Sequence, residues 1–287
     1  MRIPKFWVKA VYTDPASGRS FEAWGWSGES RAAAVESGRK RAEGACRAAL
    51  KSETRRDADE YDYMDAPPRE EIVAPVVVEG REVGVVTRNR YGVLVLNAAD
   101  VCFADVDFPP VRSTGLFDAI RLHFSKAARH GREIAVRRGV VERIKAWAGR
   151  HPGNHFRLYE TAAGLRLLFT DVRRDPTDAA TREWLASLGT DPLYLKLTER
   201  QACFRARLQP KPRRCGAKRP PHLFPREGAE QERRHADWLR DFEARAAGFD
   251  VCRLVGEFGR PAGDPVIAAV VRLHDEATGV SRSKPLA

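Results

Sequence analysis

Apolar and polar positions change period several times along the chain. Residues 5–12 (Lys-Phe-Trp-Val-Lys-Ala-Val-Tyr) and 20–26 (Ser-Phe-Glu-Ala-Trp-Gly-Trp) are aromatic and β-branched runs. The Asp14-Pro15-Ala16-Ser17-Gly18 segment between them predicts a β-hairpin. A helical period follows from about Glu29 to Lys51, capped by Ser27 or Ser30, with Val35, Ala42, Cys46, Ala49 and Leu50 on a thin apolar face. The charged run from Ser52 to Glu60 and the segment Tyr61–Pro68 carry neither period and read as a linker.

Strand-like runs resume at Glu82–Arg88 and Gly92–Asn97, with Asn89-Arg90-Tyr91-Gly92 as the turn between them. A third apolar run, Val101–Phe108, is stopped by Pro109-Pro110. Residues 116–130 and 133–149 have helical spacing. Leu116, Ile120 and Phe124 mark one stripe, and Ile134, Val141, Ile144 and Ala148 another. Residues 155–161 and 165–170 predict a second hairpin around Ala162-Ala163-Gly164. Asp175-Pro176 opens a helix to Leu188, and Asp191-Pro192 begins a shorter one. A strand at 202–208, a proline-rich basic loop to Arg226, a helix over Glu227–Ala247, a strand at Val251–Val255 and a helix over Pro265–Thr278 complete the chain. There is no internal repeat. Hairpins mixed with β-α-β connections predict an α+β fold, a mixed or antiparallel sheet with flanking helices. Three parts are expected: a hairpin-plus-helix unit over 1–66, a core over 67–226 and a helical C-terminal extension over 227–287.

Composition adds a partner class. A chain of 287 residues with 43% hydrophobic and 31% charged residues has the make-up of a globular protein. No apolar run approaches the roughly 20 residues of a membrane span, and no apolar signal core follows Met1, so a cytoplasmic protein without a membrane role is expected. The five cysteines are odd in number and scattered, which fits reduced thiols. The net charge of +11 is unevenly spread: Arg200 to Arg226 holds nine Lys or Arg residues and no acid. A basic concentration of this kind points to nucleic acid or another polyanion.

Asp105 and Asp107, one residue apart on a strand, project to the same face. They are either solvated residues of a strand end or a pair that needs a compensating cation, for which a hard divalent metal is the usual solution. The Thr161–Arg166 hairpin has a glycine that permits close backbone approach, and Arg205 and Arg207 share a strand face ahead of Lys211. Paired acids, a phosphate-sized turn and a row of guanidinium groups are the parts of a phosphoryl-transfer site. The chain has no Walker loop, no dinucleotide fingerprint and no nucleophile elbow. Cys203, Cys215, His222 and His235 lack the short ligand spacing of structural zinc sites, so zinc is not expected.

Asp105-Val106-Asp107-Phe108-Pro109-Pro110 followed by Thr161-Ala162-Ala163-Gly164-Leu165-Arg166 resembles the first two motifs of the archaeo-eukaryotic primase (primase-polymerase) superfamily, as in the polymerase domain of bacterial end-joining ligases. The Thr190-Asp191-Pro192-Leu193-Tyr194 and Phe204–Pro212 segments also resemble those of a bacterial group of unassigned function. The resemblance spans roughly residues 90 to 215. It implies a primase-polymerase-like core in which Asp105 and Asp107 hold Mg2+ or Mn2+, with Asp171 or Asp191 as a third acid. Thr161, Gly164 and Arg166 would then cradle nucleotide phosphates. Arg205, Arg207 and Lys211 would contact triphosphate or template backbone, and Arg213, Arg214, Lys218 and Arg219 nucleic acid, most readily DNA. One position departs from the pattern. Arg166 stands where the superfamily has a histidine, and arginine holds phosphate but stays protonated and cannot act as a base. Three readings follow: a metal-dependent primase-polymerase-like nucleotidyltransferase, a catalytically silent relative that binds nucleic acid or protein through its basic loop, or a metal-dependent hydrolase or nucleotidyltransferase of another lineage.

Overall fold

The computed structural model describes residues 1–50, 66–280 and 283–287, so the expected linker over 52–68 lies outside the described residues except for its last three. β1 (Phe6–Thr13) and β2 (Ser20–Ser27) form the expected hairpin, and α1 (Arg31–Leu50) packs on it. The packing is backbone on backbone: a Cβ added at Gly25 would lie 2.1 Å from the Ala34 carbonyl oxygen. Trp7 is buried, while Trp24 and Trp26 are covered by the guanidinium groups of Arg69 and Arg41.

Two four-stranded sheets follow, and every neighbouring pair of strands in them is antiparallel. The first has the order β3 (Glu71–Val78), β4 (Arg81–Arg88), β5 (Leu94–Ala98), β9 (Phe204–Arg207). The second has the order β10 (Cys252–Phe258), β7 (Phe156–Thr161), β8 (Gly164–Phe169), β6 (Phe103–Asp107). Strand β3 had no counterpart in the sequence reading. Its Pro75 is tolerated because β3 is an edge strand, where a missing N–H leaves no ladder bond unmade. Glu79 and Gly80, both at positive φ, turn it into β4. The strand expected at Val251–Val255 is β10, and it ties the 227–287 segment into the second sheet: β10 pairs with β7 along its whole length, with a bulge between Leu254 and Gly256.

Among the helices, α2 (Leu116–Phe124) and α3 (Lys126–Arg150) meet at Ser125, not near residue 131. The Ser125 hydroxyl accepts the Ala128 N–H at 3.1 Å, and this cap together with helix continuity outweighs the roughly 1 kcal/mol that Gly131 costs inside α3. None of the α2 residues is buried; Leu116, Phe117, Ile120 and Phe124 are exposed. α4 (Ala179–Ser187) is capped by Asp178 rather than Asp175, and α5 (Pro192–Gln201) by Asp191. α6 (Gly228–Ala246) and α7 (Pro265–Thr278) close the chain. Among the described residues no helix is long and apolar enough to cross a membrane.

The β10-β7-β8-β6 sheet is buried on both faces. One face, with Phe156, Leu158, Leu165, Leu167, Phe169, Ala104 and Val106, takes Val140, Ile144 and Trp147 of α3. The opposite face carries Phe103, Asp105 and Asp107 of β6, Arg166 of β8 and Tyr159 of β7. It meets α7 through His274 and meets β9 of the other sheet through Arg166. A polar row thus runs inside a largely apolar core, and it ends at Asp107 in solvent.

Candidate functional site

Asp105 and Asp107 emerge on one face of β6, as strand alternation requires, with Ala104 and Val106 buried on the other. Directly across from Asp105 stands Arg166. Its Nε donates to Asp105 Oδ1 at 2.9 Å and its Nη2 to Oδ2 at 3.4 Å, so both carboxylate oxygens face one guanidinium fork. Nη1 donates to the Arg207 carbonyl at 3.0 Å and straps the two sheets together. Burial alone would depress the Arg166 guanidinium, but the Asp105 carboxylate more than offsets it and raises it above its ordinary value.

Behind Arg166 lies a buried polar relay that spacing alone did not reveal. Cys252 Sγ is 3.9 Å from Arg166 Nη1 and 3.9 Å from His274 Nε2. His274 Nδ1 and the Tyr159 hydroxyl both meet Asp275 Oδ1, at 2.9 and 2.8 Å. Cys, His and Asp stand here in the order of a nucleophilic triad, but burial pushes the Cys252 thiol up to about 11 and holds the His274 imidazole down. The sulfur is a protonated spacer that backs Arg166, not a nucleophile.

The hairpin residues Thr161 and Gly164 serve the backbone. Thr161 Oγ1 accepts the Gly164 N–H and donates to the Gly164 carbonyl, both at 3.1 Å, and closes the turn. Gly164 lies so close to β6 that an added Cβ would sit 2.4 Å from the Val106 carbonyl oxygen. Both residues therefore set where Asp107 lies.

Of the two candidate third acids, Asp191 reaches this place and Asp171 does not. The Asp191 N–H donates to the Asp105 carbonyl at 3.0 Å, while its carboxylate caps α5 by accepting the Leu193 and Tyr194 N–H groups. Asp171 follows the opposite end of β8 and is locked to Arg174, with Nη1 to Oδ1 at 2.8 Å. Partial burial, then Asp191 and Asp105, holds the Asp107 carboxyl above its ordinary value, against the pull of Lys211 and Arg207. The folded state thus holds this proton more tightly than the unfolded chain. The Asp107 contribution to stability is present below the ordinary carboxylate value and is lost as pH rises through the raised one. Asp191→Asn should keep the cap, leave stability within about 0.5 kcal/mol and flatten that pH dependence. Asp191→Ala should cost about 1 kcal/mol. Urea unfolding across pH, with carbon NMR of the Asp107 carboxyl, checks both.

The cations divide. Arg205 is committed: Nη2 donates to both Glu70 oxygens at 2.6 and 2.7 Å, and Nη1 to Gln201 Oε1 at 2.9 Å. Glu70, 135 residues earlier, gave no sign of this pairing in the sequence. Arg207 is different. Its Nε is buried without a hydrogen-bond partner, and so is Nη1 of Arg214. Burial, then Arg166, pushes the Arg207 guanidinium down to about 10. Lys211 is depressed by burial and by Arg207, Arg214 and Arg213, and Arg214 by burial and by Arg213. These groups remain charged at neutral pH and crowd one another beside Asp107. The far half of the basic loop faces elsewhere: the Lys218 carbonyl accepts the Trp238 Nε1–H, and Arg219 lies over the Tyr91 ring.

The residues fit a resident divalent metal poorly. Asp105 is engaged by Arg166 and Asp191 caps a helix, so among the described residues Asp107 alone of these three acids has a side chain without a hydrogen bond, one carboxylate where the resemblance implies three. Among the described residues no group of three or more His, Cys, Asp or Glu side chains is placed to hold a metal ion. Cys215 belongs to a small apolar cluster with Val93 and Phe242, and all five cysteines are free and buried. Comparison with protein-family models, curated proteins and solved structures finds no match.

Proposed function

We propose that this chain binds the phosphate groups of nucleotides or nucleic acid between Asp107 and the Arg207–Arg214 cations, at the solvent end of β6, on a primase-polymerase-like scaffold. The observation that carries this reading is the buried Nε of Arg207 and the buried Nη1 of Arg214, each without a partner in a neighbourhood of like charge. A buried guanidinium N–H without an acceptor is costly in the empty protein, and an anion that reaches it supplies the acceptor. Arginine forks match phosphate oxygens bidentately, which makes phosphate the fitting anion.

Arg207→Met tests this with two readouts of opposite sign. Calorimetric titration with ADP should show affinity weakened by about tenfold or more, and urea unfolding should show a fold at least as stable, because a crowded charge has been replaced by an apolar chain of similar length. Unchanged ADP affinity would sink the proposal. A second reading, metal-dependent nucleotidyl transfer, is favoured by the acids that surround Asp107. Its test is nucleotide incorporation on a primed template with Mg2+ or Mn2+, with Asp107→Ala as the control.

A further inference from the structure

We infer that this place beside Asp107 takes a terminal phosphate as a dianion without a divalent metal, with Arg166 standing as a built-in cation where a metal would otherwise neutralise Asp105. The inference rests on the phosphate-binding reading above and adds the charge state of the ligand and the independence from metal.

The geometry at Asp105 is the first support. A metal and the Arg166 fork would compete for the same two oxygens, and Arg166 has nowhere else to go. It is almost fully buried, its Nη1 holds the Arg207 carbonyl, and Cys252 closes its back. Releasing it would leave a buried guanidinium without its counter-charge, which is strongly unfavourable. The Asp191 oxygens are likewise engaged, by the first N–H groups of α5.

Charge count is the second support. Arg166, Arg207, Lys211, Arg213 and Arg214 bring five positive charges to this place, against Asp105, Asp107 and Asp191. The surplus of two matches a terminal phosphate, which carries about −1.5 to −2 at neutral pH. An internal phosphodiester carries one charge and would leave the surplus half compensated. Adding a divalent cation would double the surplus that the ligand must meet.

Calorimetric titration of the full chain with ADP and with inorganic pyrophosphate, each in EDTA and again in excess Mg2+, tests this. The expected result is binding of at least one probe in EDTA, at least as tight as in Mg2+ because the Mg2+ complex of either probe carries two fewer negative charges, and a loss of about tenfold in the Arg207→Met/Arg214→Met variant. Binding of pyrophosphate but not ADP supports the inference and identifies free phosphate as the source. Binding of ADP but not pyrophosphate supports it with nucleotide as the source. Binding only in Mg2+ overturns the inference and leaves the phosphate-binding reading standing. No binding under either condition overturns both. An oligonucleotide bound equally well with and without a terminal phosphate overturns the preference for a dianion.

Discussion

Asp105→Ala should destabilise the protein by about 3–5 kcal/mol, the range for removing one partner of a buried ion pair. The asymmetry of the pair is the reason. Asp105 is partly exposed, with a side chain 33% accessible, but Arg166 is 3% accessible. Removing the acid leaves a guanidinium in the core with no counter-charge, next to a thiol and an imidazole that burial keeps neutral. Asp105→Asn should cost less, because its side-chain oxygen still accepts the Nε–H. Urea unfolding of both variants, with the denaturant slope unchanged, checks the order. An Asp105→Ala protein as stable as the parent would show that Arg166 finds another partner. For the same reason Asp107→Ala, which removes an exposed acid, is the cleaner probe of chemistry at this site. A loss of function in Asp105→Ala would not distinguish a missing ligand from a missing fold.

Gly164→Ala should have the second-largest effect, a loss of about 1–3 kcal/mol from overpacking. The new methyl would meet the backbone of β6, 2.4 Å from the Val106 carbonyl oxygen and 2.9 Å from Asp107 Cα, and backbone has no rotamer to yield with. β6 and β8 would have to separate at the end that carries Asp107, and the 2.9 Å bond from the Phe108 N–H to the Ala163 carbonyl would lengthen with them. ADP affinity should therefore fall together with stability. Thr161→Ala, which removes only the hydroxyl that closes the turn, should cost about 1 kcal/mol. Unfolding and ADP titration of the same samples separate the two variants.

Local pattern revealed most elements and little of the site's state. Paired acids at a strand end, a glycine hairpin and a strand of arginines are visible in any reading of the chain, and the antiparallel sheets bring Asp105, Asp107 and Arg166 onto one face. Asp191 was legible as a helix cap through its proline, and the structure gives it that work while also placing it beside Asp105. Occupancy was not legible. Whether an arginine is free for a ligand depends on the acid opposite, and acids opposite in space leave no trace in spacing. Glu70 takes Arg205 from 135 residues away, and Asp105 takes Arg166 from 61. Strand β3 escaped notice because a proline normally argues against a strand, and only the position of β3 at a sheet edge removes that objection. The misplaced helix boundary at Ser125 has a similar cause: a serine is a common helix residue until its hydroxyl is seen to cap.

The division of the basic residues into an exposed rim and a buried floor also separates two rates. On the phosphate-binding proposal, Arg213, which lies in solvent with a field that reaches about a Debye length, would set the rate of capture and lose that influence as salt rises. Arg207, with its Nε out of contact with water, is screened little. On the same proposal it would set how long a bound anion stays, and residence should outlast ionic strengths that already slow arrival.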